Sequence, residues 1–164
     1  MLPMPVRTEI AVRPYDDKDG PRLLDIFHDA VHRGAAGEYS EEQRRAWAPE
    51  NMDLAAFTAA LTTQQTWVAE IDGTVVGFSD LAPNGYVNMM FAHPDYQGQG
   101  IATTLLSQVE QAATTQGMQR LITEASVTAR PFFEKRGFML TAEQWVPLRG
   151  QTLTNFLMEK WLTR

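Results

Sequence analysis

Gly98 and Gly100 stand in the run Phe91-Ala92-His93-Pro94-Asp95-Tyr96-Gln97-Gly98-Gln99-Gly100-Ile101-Ala102, where a strand pattern gives way to a helical one. That position suits an anion. The first amides of a helix lack internal partners and lie at the positive end of its dipole, and glycine lets backbone approach a ligand closely. A pyrophosphate meets both conditions. A P-loop is excluded, because neither glycine is followed by lysine. A dinucleotide fingerprint fits poorly: Thr103 stands where the last glycine should be, and the loop follows a hairpin rather than the first strand of a β-α-β unit. The residues alone leave the choice between an anion site and a plain tight turn open.

Other chemistry is bounded by what the chain contains. It has no cysteine, so thiolate nucleophiles, Cys-ligated zinc and cysteine acyl-enzymes are all excluded. His28 and His32 are one helical turn apart and share a face, but no Glu-x-x-His context or third ligand accompanies them, and no metal site is expected.

The elements that must position the loop can be read from periodicity. Glu9 to Arg13 alternates as a half-buried strand. Asp19 is placed to cap a helix carrying Pro21 in its first turn and a stripe of Leu23, Leu24, Phe27, Ala30 and Val31, ending at Gly34. Ser40-Glu41-Glu42-Gln43 matches a capping box for a short helix stopped by Pro49, and Leu54, Phe57 and Leu61 suggest another helical piece. Thr66 to Ile71 and Val75 to Leu81 flank an Asp72-Gly73 hairpin turn, and a third strand spans Tyr86 to Ala92. Ile101, Leu105, Val109 and Ala112 share a helical face that Gly117 ends. A strand at Arg120 to Ala125, a short helix at Ala129 to Arg136 and a hairpin of 138–148 with 152–161 around Arg149-Gly150 complete the pattern. The expected fold is α/β of the α+β type, a single domain with a mixed, mostly antiparallel sheet flanked by helices. Its order is β-α-α-β-β-β-α-β-α-β-β, and the three consecutive strands rule out a doubly wound fold.

With 164 residues, 44% of them hydrophobic, the chain can fill one core. The net charge of −6 comes without any Lys/Arg block, so no nucleic-acid partner is expected. No run approaches the ~18 apolar residues of a membrane span, and Met1 to Arg7 lacks a signal-peptide core. A protein with no membrane partner and a cytoplasmic location, consistent with zero cysteine, is the expectation.

The segment Gln97-Gly98-Gln99-Gly100-Ile101-Ala102 resembles the Gln/Arg-x-x-Gly-x-Gly/Ala signature of the GNAT acyltransferase superfamily. The preceding Val87 to Ala92 strand, the His93-Pro94-Asp95-Tyr96 turn, Leu105-Leu106 and the later Ala129-to-Phe138 segment agree with that family's spacing over residues 75–140. The resemblance implies that residues 1–164 form one N-acetyltransferase domain, with residues 1–7 a flexible start. It implies acetyl-CoA as cosubstrate and transfer of the acetyl group to a primary amine of a small molecule or peptide, by direct attack in a ternary complex. The main chain of Met90, Phe91 and Ala92 would hold pantetheine. Gln97, Gly98, Gln99, Gly100, Ile101, Ala102 and Thr103 would hold pyrophosphate, and Phe133 would lie beside the thioester.

The chain also departs from the family. Phe133 stands four residues before Gly137, where the family often has a tyrosine as general acid, and phenylalanine cannot donate a proton. Tyr86 replaces an acidic residue frequent early in the central strand, and Ser126 replaces a frequent asparagine. No general acid or base is therefore assigned; Asn88 and Ser126 are the catalytic candidates. The first helices are implied to cover the acceptor cleft, making His28, His32, Tyr39 and Trp47 candidates to line it. A non-catalytic acyl-CoA-binding or sensing module is the alternative function, and the sequence leaves a homodimer open.

Overall fold

The computed structural model describes residues 9–162. The expected flexible start at residues 1–7 lies outside the described residues. In chain order the elements are β1 Ala11–Pro14, α1 Gly20–Asp29, α2 Glu41–Trp47, α3 Leu54–Thr62, β2 Gln65–Ile71, β3 Thr74–Leu81, β4 Tyr86–Val87, β5 Met90–Ala92, α4 Ile101–Thr115, β6 Arg120–Ser126, α5 Arg130–Lys135, β7 Met139–Leu148 and β8 Gln151–Trp161. A π-helical turn, Ala30–Gly34, prolongs α1. The expected order holds, with the helical piece at Leu54 formed as α3 and the third hairpin strand divided in two.

The strands form two four-stranded sheets, β1-β2-β3-β5 and β4-β6-β8-β7. All neighbours are antiparallel except β4 and β6. Helix α4 presents Ile101, Leu105 and Val109 to a core that spans both sheets, with Val76 and Ala69 from one and Leu121 and Met158 from the other. The opposite face of the first sheet, through Val68 and Phe78, packs on Leu23, Ile26 and Phe27 of α1 and Phe57 and Leu61 of α3. Burial of both faces explains why β2 reads as a nearly continuous apolar run.

Local signals act largely as their chemistry dictates. The Ser40–Gln43 capping box forms, with Gln43 N donating to Ser40 Oγ at 3.1 Å and Ser40 N to Gln43 Oε1 at 2.8 Å. Asp72 and Gly73, at φ 50° and 80°, make the left-handed pair a two-residue hairpin needs. Asp19 departs from expectation, because its carboxylate caps nothing in α1. It accepts both Nη groups of Arg13 at 2.8 Å and the Asp16 amide at 2.9 Å. A buried carboxylate gains more from a bidentate guanidinium than from one exposed amide. That guanidinium holds the Asp19 carboxyl below its usual range. Capping passes to Asp16, which starts a short 3-10 turn ahead of the helix.

The division of the strand expected at 86–92 shapes the rest of the molecule. Asp80, on β3 and 2% exposed, accepts the amides of Asn88 and Met89 through one oxygen, both at 2.8 Å. Ser79 Oγ and Asp80 N donate to the Met89 carbonyl at 2.7 and 3.2 Å. Asn88 and Met89 thus take their partners from β3 rather than from a continuous ladder. The chain shifts there from β4, in the second sheet, to β5, in the first.

Burial raises the Asp80 carboxyl from 3.8 to about 6, against the lowering effect of its two amide donors. The folded state therefore binds this proton more tightly than the unfolded chain. The contribution to stability is full below about pH 4 and is lost as pH rises through about 6. Asp80→Asn keeps the acceptor and abolishes the titration, so its stability relative to the parent should improve between pH 4 and 7.5, by up to ~3 kcal/mol. Asp80→Ala strands two buried amides and should cost about 2–4 kcal/mol at pH 4, a gap that narrows toward pH 7.5 because this variant cannot titrate either. Urea denaturation at the two pH values checks both; a pH-independent gap for Asp80→Asn would show that the carboxyl does not titrate in this range.

Candidate functional site

The parallel ladder between β4 and β6 consists of Tyr86↔Ile122 and Val87↔Thr123, reinforced by Thr123 Oγ1 donating to the Val87 carbonyl at 2.9 Å. Beyond it the strands part, since β5 pairs with β3 through Met90↔Ser79, Phe91↔Phe78 and Ala92↔Gly77. Among the described residues no strand pairs with the edge of β5 that faces β6. A cavity of about 830 Å³ opens between the two sheets, walled by β5, the 97–103 loop, the end of β6, α5 and the helical segment at residues 27–35. An unpaired strand edge of this kind offers main-chain donors and acceptors to an amide-bearing guest.

The phosphate-type loop lies at one end of this cleft. Gly98 and Gly100 adopt φ of 83° and 85°, and a Cβ at either would meet no atom within 4 Å. Backbone conformation, not crowding, is what calls for glycine here. Gly100 caps α4 without any side-chain bond. The first helical amide to reach a carbonyl is that of Thr104, at Gly100 O, 3.0 Å, so the amides before it are free for an anion. Arg136, at the end of α5, donates to Thr103 Oγ1 at 2.5 Å and lies 3.9 Å above the Phe132 ring. A fixed cation thus stands beside the loop.

His93 sets the loop's position. It is buried, and its Nδ1 accepts the Asp95 amide at 3.1 Å. The proton therefore resides on Nε2, which donates to Asp29 Oδ2 at 2.9 Å. Arg33 closes the link through Asp95 at 2.5 Å. The loop is thereby tied to α1 and its π-helical extension.

At the other end the wall is polar but uncharged except for Glu124, whose Oε1 accepts from Tyr86 Oη at 2.7 Å. Burial and this neighbouring carboxylate raise the Tyr86 phenol well above its ordinary pKa. Tyr39, 5% exposed, staples the helical cover to the second sheet. Its hydroxyl donates to Thr154 O at 2.5 Å and accepts from Val127 N at 2.9 Å. Trp47 packs edge-on to it at 5.4 Å.

Most residues expected at the site are brought together. Met90, Phe91, Ala92, Gln97, Gly98, Gly100, Ile101, Ala102, Thr103 and Phe133 all line the cleft, as do Asn88, Ser126, Tyr39 and Trp47. Gln99 is in the loop but not in the lining. Phe133 is only 2% exposed and packs on Phe132 and Phe138, so it contributes mainly to the core. Ser126 Oγ accepts the Ala129 amide at 3.0 Å and shapes the turn into α5.

His28 and His32 do not reach the cleft. Phe27, Ala30 and Gly34 form the cleft-facing stripe of their helix, and the histidines lie on the adjoining face. They stack on each other at 4.2 Å, and His32 Nε2 bonds Ala48 O at 2.7 Å. Sequence reasoning missed Arg136, Glu124 and Asn155. For Glu124 a signal exists, because strand alternation places it on the same face as Ser126, two residues on. For Arg136 nothing separates it in sequence from Arg130, which pairs with Glu134.

A sequence profile described as an acetyltransferase (GNAT) domain matches residues 35–160. The chain is 36% identical over 149 residues to the uncharacterized N-acetyltransferase YafP of Escherichia coli K12, covering 91% of this chain and 94% of that one. It is similar, at 36% identity and a TM-score of 0.91, to a crystal structure of a GCN5-related N-acetyltransferase from Rhodopseudomonas palustris, covering 97% and 99% of the two chains. At 22% identity and a TM-score of 0.72 it shares the fold of a PaiA N-acetyltransferase from Thermoplasma acidophilum solved with coenzyme A, covering 93% and 99%. The chain belongs to the GNAT family of N-acetyltransferases.

The Tyr39 staple yields a direct test. Tyr39→Phe leaves the Val127 amide without its partner and should lower stability by about 1–3 kcal/mol, read from the urea midpoint at unchanged slope. An unchanged midpoint would mean that the hydroxyl holds nothing.

Proposed function

We propose that this protein moves an acetyl group from acetyl-CoA to a primary amine of a small molecule or peptide, by direct attack within a ternary complex. The observation that carries the reading is the unpaired edge of β5 leading from the anion-ready loop to the fork between β4 and β6. A structural relative that holds coenzyme A supports the same assignment of the cosubstrate.

On this reading residues 97–103 hold the pyrophosphate through the amides from Gly98 onward, the Gln97 amide being given to Pro94 O, with Arg136 and the Thr103 hydroxyl beside them. Main-chain groups of Met90 and Ala92, which alternate away from β3, bond the pantetheine amides as a neighbouring strand would, while Phe91 between them turns its own toward Phe78. The slot orients the thioester toward the fork and excludes water from one side of it. The amine sheds its ammonium proton to solvent, the neutral nitrogen attacks the carbonyl carbon, a C–N bond forms and the C–S bond breaks; the nitrogen then gives up one further proton, and the thiolate leaves as coenzyme A. Backbone donors along the slot stabilise the developing oxyanion. The buried Phe133 ring cannot protonate the thiolate, so that proton comes from solvent or another group. No covalent enzyme intermediate is required, which agrees with a chain lacking cysteine.

Acetyl-CoA mixed with a panel of primary amines should release free thiol in proportion to acetylated amine, measured by thiol titration and mass spectrometry. Tight acetyl-CoA binding with no release across the panel would favour the sensing alternative. Gly100→Asp puts a carboxylate where the phosphates are assigned and should weaken CoA binding at least about tenfold in calorimetry. Unchanged affinity would remove the loop from the site.

A further inference from the structure

The end of the cleft away from the loop carries a charge pattern that constrains the acceptor. Glu124 is the first β6 residue beyond the last ladder pair, Val87↔Thr123. It therefore stands at the fork where the slot along β5 ends. Its side chain is exposed into the cleft, its one bond is the 2.7 Å contact accepted from Tyr86, and among the described residues it makes no ion pair. Among the described residues it is the one acidic side chain lining the cavity.

Two residues along β6, on the same face, is Ser126, whose register partner on β8 is Asn155. Asn155 Oδ1 is buried without a hydrogen-bond partner, and the residue lines the same cavity. A carboxylate lacking a cation and a residue whose amide oxygen lacks a donor thus line one cavity. Both need a donor. An alkylammonium, with three N–H donors and a positive charge, satisfies both, whereas an acceptor group satisfies neither.

The same lining excludes a second class of guest. Its basic residues are Arg136, engaged with Thr103 beside the loop, and His93, tied to Asp29. Arg44 in the helical cover and Arg149 in the β7–β8 turn spend their guanidinium groups on the carbonyls of Tyr39, His32 and Ala46. Among the described residues nothing cationic lines the Glu124 end. A carboxylate carried next to the acceptor's amine would find no counter-charge there and would meet Glu124 itself. The remaining wall is apolar, with Val146, Leu148, Leu153 and Trp47.

We propose that Glu124, with Asn155 beside it, is the anchor for the acceptor's ammonium group, and that the acceptor is a primary amine on an uncharged or apolar framework with no carboxylate adjacent to the amine. This rests on the reading of the cleft as the place of acetyl transfer to an amine. Glu124 recognises the acceptor in its ammonium form, which sheds a proton to solvent before the neutral nitrogen attacks, and it is separate from the loop that holds the cosubstrate.

L-Alaninamide and L-alanine, which differ by an amide against a carboxylate, are the discriminating pair, with n-butylamine as a plain alkylamine. Thiol release with the parent protein should favour the amide and the alkylamine over the free amino acid by at least about tenfold in kcat/KM. Glu124→Gln should lower kcat/KM for n-butylamine by about thirtyfold, chiefly through KM, with acetyl-CoA affinity unchanged. Glu124→Asp should recover part of the loss. Equal use of L-alanine and its amide, or an unaltered KM in Glu124→Gln, would overturn the proposal.

Binding provides an arm independent of turnover. Titrating n-butylammonium into the CoA-saturated protein should shift the NMR resonances of residues 86, 124 and 155, whereas n-butanol should not. The response should vanish in Glu124→Gln. Loss of thiol release with all amines but retention of this titration would overturn acetyl transfer and leave the ammonium anchor standing. The absence of ammonium-specific shifts would overturn the anchor.

Discussion

The fold's functional opening depends on one buried carboxylate. Asp80 collects two consecutive amides, Asn88 and Met89, on a single oxygen, and Ser79 and the Asp80 amide take the Met89 carbonyl. Consecutive amides in a regular strand point to opposite edges, so a shared acceptor on one side forces the chain out of regular extension. The strand cannot continue its pairing with β6 and is passed to the edge of β3. Without that irregularity the two sheets would close into one and the slot would be filled by ladder hydrogen bonds. The cost is a carboxyl held in the protein interior against its solvation, visible as a pKa raised to about 6.

Much of the architecture is legible in sequence because its signals are local. The Ser40 capping box, the Asp72-Gly73 and Arg149-Gly150 turns and the apolar stripe of α4 each determine their geometry through neighbours within a few residues. The glycines at 98 and 100 are legible for the same reason, since positive φ is a property of the residue itself. The division at 88–89 is not local: residues 86–92 read as one strand, and what breaks them is a side chain on a different strand. Asp19 likewise looks like a helix cap until Arg13, brought alongside by the fold, competes for it with a bidentate bond.

The site shows the same boundary. Residues of the loop and β5 could be named because they are contiguous with a motif. Tyr39 and Trp47 arrive at the cleft while His28 and His32 do not, although all four lie in the same stretch; a difference of one position on a helix, about 100°, separates the lining from the adjoining face. Glu124 and Asn155 come from strands that neighbour each other only after the second sheet has formed. The resulting cleft is sorted by charge, with free amides and a guanidinium at one end and acceptors at the other. That sorting is a product of topology rather than of any segment.

The chain of bonds from Asp29 through His93 to Asp95 and back to Arg33 also bears on how the molecule can move. A glycine-bearing loop on its own is free to flicker, but this one is riveted through a buried imidazole to the end of α1. Displacement of the loop therefore carries the π-helical turn with it, and that turn supplies Ala30 and Gly34 to the opposite wall. Floor and roof of the cleft are mechanically one part, so whatever settles the loop also settles the opposite wall. Such a linkage couples the two walls without any separate lid.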